Sequence, residues 1–88
     1  MMPPLLLQTA AQLSAHLRSF RKERGLTQAA LGALVGLDQA RIAKIERDPQ
    51  RVSIGQWLNI FAALRVRVLL DPLPEKPAAS ARSGRVDW

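Results

Sequence analysis

Between Thr27 and Pro49 the chain is punctuated so closely that few structures remain open to it. Thr27 is a good N-cap, because its hydroxyl can accept from an orphan N–H in a helix's first turn. Gly36 suits the left-handed residue that ends a helix. Asp38 is a second N-cap whose charge also suits the helix dipole. Pro49 prevents further extension. Two helices are therefore expected, Gln28 to Val35 and about Gln39 to Arg47, joined by the turn Val35-Gly36-Leu37. Leu31, Leu34 and Val35 are the apolar set of the first; Ile42 and Ile45 face inward from the second. Two short helices across a glycine turn are the signature of a helix-turn-helix unit.

The flanks follow the same grammar. Thr9-Ala10-Ala11-Gln12 fits a capping box, and Ala10, Leu13, Leu17 and Phe20 recur at helical spacing, so a helix is expected over about 10–24, with Gly25 after it. Arg18, Arg21, Lys22 and Arg24 are its polar companions. Ser53-Ile54-Gly55-Gln56 is a second capping-box match. It opens a helix over Ile54 to Leu64 that carries Ile54, Trp57, Leu58, Phe61, Ala62 and Leu64. The period then changes. Val66, Arg67, Val68, Leu69 and Leu70 roughly alternate, and Asp71-Pro72 stops them, which predicts one short strand. A lone strand has no partner for its backbone groups. Antiparallel pairing with the same strand of a second copy supplies one, and adds burial to a small core. The expected organisation is an N-terminal arm (1–8), a helical domain (9–65), a dimerisation strand (66–71) and a disordered tail (72–88).

Composition narrows the function. At 88 residues the chain is one small domain. Without cysteine it has no disulfides and no Cys-based zinc site, and its one histidine, His16, is read as a surface or half-buried helix residue rather than a ligand. No metal or cofactor is expected. Leu5-Leu6-Leu7 is too short for a membrane span or a signal peptide, so no membrane partner is expected. No nucleophile–base set or paired carboxylates stand out, so neither an enzyme nor a small-molecule substrate is expected. The net charge of +6 points to a polyanion. Ten of the 13 basic residues and four of the seven acids precede Asp71, so that part carries all of the excess, and the tail sums to zero.

Leu26-Thr27-Gln28-x-x-Leu31-Gly32-x-x-Val35-Gly36-Leu37, followed by Ile42-x-x-Ile45-Glu46-Arg47, resembles the phage-repressor (XRE) helix-turn-helix family across residues 13–66. The whole chain further resembles the HipB-type antitoxins, small dimers with this domain, a strand after the fourth helix and a short tail ending in tryptophan. Here Val66–Leu70 takes the strand position and the chain closes Val86-Asp87-Trp88. The resemblance implies an all-α, lambda-repressor-like bundle of four to five helices. To this it adds a C-terminal strand that forms an intersubunit two-stranded β-lid in a homodimer. It implies a sequence-specific autorepressor of palindromic operator DNA, nucleoid-associated in the cytoplasm. It also implies the antitoxin of a type II pair that neutralises a HipA-like Ser/Thr kinase toxin. Two other readings stay open: a stand-alone phage-like regulator, and a protein-interaction subunit that no longer reads DNA.

The resemblance places the third helix in the major groove with its N-terminal residues at base edges. Gln28 is then a phosphate contact at a helix N-terminus. Gln39 is expected to bond an adenine edge, with Ala40 against a thymine methyl and Ala43 close to the bases. Arg41 and Lys44 share one helix face opposite Ile42 and Ile45, and position alone leaves guanine readout and phosphate contact both open. Arg47 and Arg51 flank the Pro49 loop and are expected on phosphate. Arg21 and Glu46 are expected as a structural ion pair, away from DNA. Asp38 is a cap, or an acceptor for cytosine N4. Ser53 is a cap first and a phosphate donor second. Trp57 belongs to the core or to a dimer contact. Val66, Arg67, Val68, Leu69 and Leu70 are the dimerisation residues, and Trp88 is an anchor for a protein partner or a protease signal.

Overall fold

The computed structural model describes residues 4–75; the expected roles of Trp88 and of the tail beyond Glu75 lie outside the described residues. Four α-helices form: α1 (Ala10–Glu23), α2 (Gln28–Val35), α3 (Gln39–Arg47) and α4 (Ile54–Ala63), with a single 3₁₀ turn at Pro49–Arg51. Each begins where a side chain satisfies a first-turn amide. Thr9 and Gln12 exchange reciprocal bonds at the start of α1. Thr27 accepts from Ala30 N–H at 3.0 Å, and Asp38 from Arg41 N–H at 2.8 Å. At α4 only half of the expected box is formed: Ser53 accepts from Gln56 N–H at 3.1 Å.

The turn between α2 and α3 is fixed by two glycines with different roles. Gly36 has φ of 76°, a conformation that costs an L side chain about 1 kcal/mol or more. Gly32 lies inside α2, where an added Cβ would sit 2.3 Å from the Leu37 carbonyl oxygen. That carbonyl passes too close for any side chain, so the α2–α3 unit needs a bare backbone there.

Leu17, Leu31, Ile42, Ile45, Trp57, Ile60, Phe61 and Leu64 are buried, drawn from all four helices. Trp57 stacks on Phe61 at a centroid distance of 5.7 Å, and Phe20 meets Phe61 edge-on at 6.5 Å. The Trp57 indole N–H donates to the Pro49 carbonyl at 3.2 Å, which ties the 3₁₀ turn to α4. Trp57 is thus a core residue.

Two assignments of facing change. Leu34, expected inside, is 59% exposed, because α2 is short and its buried side is occupied by Leu31 and Gly32. On α4 the buried stripe is Trp57, Ile60, Phe61 and Leu64, at i, i+3, i+4 and i+7. Ile54 and Leu58 lie on the other side, 71% and 46% exposed. Ile60 was missing from the expected set because α4 is apolar on both sides, so periodicity does not single out one stripe.

After α4 the chain turns at Arg65, whose φ of 63° is left-handed without being glycine. Val66 N–H returns to the Phe61 carbonyl at 2.8 Å. Val66 is half-buried against the core, residues 67–70 then run over the surface, and among the described residues no strand is assigned. The pairing expected for Val66–Leu70 needs a second strand, and the described residues provide none within one chain.

Candidate nucleic-acid interface

The site is built around one buried acid. Glu46, in the last turn of α3, is 3% exposed. Its Oε2 accepts from Arg21 Nε at 2.8 Å. Its Oε1 accepts from Arg21 Nη2 at 3.3 Å, from Arg18 Nε at 3.4 Å and from Gln28 Nε2 at 3.0 Å. The Glu46 backbone carbonyl takes the Ser14 hydroxyl and Arg18 Nη2. Arg21 also reaches the Leu26 carbonyl at 3.0 Å. One carboxylate therefore ties α1, α2 and α3 together. Burial alone raises the pKa of Glu46. The Arg21 hydrogen bond, that of Gln28, the Arg21 charge and the Arg18 hydrogen bond outweigh it and hold the carboxyl below its ordinary value.

Ser14, Arg18 and Arg21 lie four and three residues apart on α1, so they share the side that meets Glu46. Arg21 stood out in the sequence; Arg18 and Ser14 did not. Their shared spacing was the available signal, and the position of Glu46 across from them was not readable without the fold.

Gln28 is half-buried and carries the network outward. While its Nε2 donates to Glu46, its Oε1 accepts from Gln39 Nε2 at 2.8 Å. Gln39, Ala40, Arg41, Lys44 and Arg47 are exposed and Ala43 is half-buried, so the outer side of α3 is polar along its length. Arg41, Lys44 and Arg51 line one shallow groove with Ile45, Asp48 and Val52. Arg51 Nε also bonds Asp48 at 2.9 Å, which holds its exposed side chain beside the groove. Arg47 is outside that groove. Asp38 uses Oδ1 as the α3 cap, which leaves the other oxygen unassigned to that role.

Among the described residues no helix is long and apolar enough to cross a membrane. His16 is half-buried on α1, with Nε2 2.9 Å from the Leu6 carbonyl, so it joins the arm to the first helix.

A short capped helix with a polar, cationic outer side, set across a glycine turn from a second helix, defines a helix-turn-helix DNA-binding protein. The chain belongs to the helix-turn-helix family of XRE type, whose model matches residues 17–69. It is similar to Antitoxin HipB of Escherichia coli O6:H1, 24% identical over 82 residues, covering 93% of this chain and 87% of that protein. Antitoxin HipB of E. coli K12 is 23% identical over 82 residues, covering 93% of each chain. The HTH-type transcriptional regulator y4dL of Sinorhizobium fredii is 30% identical over 66 residues, 75% of this chain but 34% of that protein. A chain from the solved HipB-O1-O2 complex superposes with a TM-score of 0.71 at 23% identity, over 78% of this chain and all of that one. That likeness shows the fold, an all-α helix-turn-helix bundle.

Proposed function

We propose that the chain is a homodimeric, sequence-specific DNA-binding autorepressor and the antitoxin of a type II pair, neutralising a HipA-like Ser/Thr kinase toxin. The observation that carries it is the outer side of α3. Gln39, Ala40, Arg41 and Lys44 are exposed in a row while Ile42 and Ile45 are buried behind them. Gln39 and Ala40 meet base edges with Ala43 close behind; Arg41 and Lys44 take guanine or phosphate; Arg47, Arg51 and Gln28 hold the backbone. The antitoxin half is supported by similarity to two proteins named Antitoxin HipB over 93% of this chain. In that role Trp88 anchors the partner.

The dimer is supported by the open side of α4. Leu58 and Ala62 form a shallow groove with residues 65–69, and Leu69 and Leu70 are 70% and 93% exposed. A second copy that pairs Val66, Arg67, Val68, Leu69 and Leu70 covers this apolar surface and completes a two-stranded lid.

The test is binding to the DNA upstream of its own gene. A palindromic site bound with a steep loss of affinity between low and moderate salt is expected; no specific complex at moderate salt overturns the repressor. Co-expression with the product of the adjacent reading frame tests the antitoxin, which fails if the two neither copurify nor cancel toxicity. A second reading is a regulator without a toxin; the similarity to y4dL, named an uncharacterized HTH-type transcriptional regulator, is compatible with it. Deleting residues 72–88 separates the two, because only an antitoxin loses a protein complex by it.

A further inference from the structure

The hydrogen bonds Glu46–Gln28–Gln39 have a direction, and the direction has a chemical consequence. An ionised carboxylate only accepts, so the Gln28 atom 3.0 Å from Glu46 Oε1 is the amide nitrogen. The remaining Gln28 atom is then the carbonyl oxygen, and what meets it at 2.8 Å is the Gln39 amide nitrogen. Two amides that could each be turned either way are thereby held in one sense by a single buried charge. Gln39 is left with one N–H and its carbonyl oxygen for a base. Adenine presents an acceptor at N7 beside a donor at N6, which matches that pair. Guanine presents acceptors at both N7 and O6 and would set O6 against the glutamine oxygen.

We propose that Glu46 is a positioning residue for base readout: by fixing the sense of Gln28 and hence of Gln39, it makes adenine, and not guanine, the base Gln39 accepts. The proposal rests on the DNA-reading function given above and adds a specificity role to a residue whose pairing with Arg21 otherwise accounts for it. Glu46 touches no DNA in this scheme. It acts through Gln28, and Arg21 and Arg18 hold it in place from behind.

The experiment measures affinity for sites carrying each of the four bases at every half-site position, in the full-length protein. Gln39→Ala first identifies the base pair that Gln39 reads. Gln28→Met then removes the polar link at nearly constant length and leaves the Glu46–Arg21 pair in place. At the Gln39 position, the preference for adenine over guanine should fall about tenfold, the scale of one good bidentate contact. At all other positions the affinities should shift by one common factor, the loss of a phosphate contact. In the Gln39→Ala background, Gln28→Met should change no base preference. Glu46→Gln should relax the same position in the same direction, and a folded Glu46→Gln that keeps the full adenine preference overturns the role of Glu46. If that variant does not fold, Gln28→Met tests the one link through which Glu46 can act. Retention of the full adenine preference in Gln28→Met overturns the proposal. If the protein selects no site, or Gln39→Ala alters no base position, the DNA-reading function itself fails and the proposal falls with it.

Discussion

The outer side of α3 and the outer side of α4 are both exposed, and they are finished to different degrees. On α3 every side chain aimed at solvent is polar or small, and the glutamines near its start are tied to a buried carboxylate through bonds of 2.8 and 3.0 Å. On α4 the exposed side carries Ile54, Leu58 and Ala62, with Asn59 its one polar side chain. It leads toward Val68, Leu69 and Leu70, with Arg67 the one charge among residues 66–70, so it is mainly apolar. The contrast teaches what one chain can complete alone. Preorganising a polar surface needs only hydrogen-bond partners, and the fold brings those from α1 and α2. Covering an apolar surface needs area, and a domain of this size has used its area on one core.

The largest effect expected on this comparison comes from removing the buried charge. Glu46→Ala leaves Arg21 without its partner and should cost about 3–5 kcal/mol, measured by urea denaturation. The same group gives a pH signature. Its folded pKa lies below the ordinary 4.5, so its contribution is present above about that pH. It is lost as pH falls through the folded value. The stability gap between the native chain and Glu46→Ala should therefore narrow below about pH 4.5, and a gap that stays constant would show that Glu46 is not held ionised.

Gly32→Ala comes next. It forces the Leu37 carbonyl away from α2 and should destabilise by about 2 kcal/mol with loss of DNA affinity, read by thermal melting and anisotropy. Loss of stability with unaltered DNA binding would separate the α2–α3 geometry from readout.

On the α4 side, Leu58→Asp should change the stability of the single chain by about 0.5 kcal/mol or less, because the side chain is already half exposed. It should convert the proposed dimer to monomer in sedimentation velocity, and a dimer that persists in the variant would break the contrast drawn above. The smallest effect is at Arg65. Its positive φ favours glycine, so Arg65→Gly should raise stability by about 0.5 kcal/mol by calorimetry.

The sequence made much of this legible for local reasons. Caps at Thr9, Thr27, Asp38 and Ser53 and a stop at Pro49 act within four residues, so helix boundaries follow from the chain itself. Ile42 and Ile45 could be placed inside because the rest of α3 is polar or small. α4 resisted, since a helix apolar on two sides does not say which side its own chain will cover. The Ser53 box closed only halfway, and Leu34 turned outward because Gly32 and Leu31 already occupied the contact.

What the sequence determined by itself is the set of capped helices, the glycine turn and the location of the positive charge, because these depend on neighbours along the chain. The tertiary structure alone decided that Glu46 gathers Arg18, Arg21 and Gln28, and that Gln28 passes its orientation to Gln39. Those residues lie 28, 25, 18 and 11 positions apart. A hydrogen-bond chain over such separations has no local signature; it exists only once packing has brought the three helices to one carboxylate.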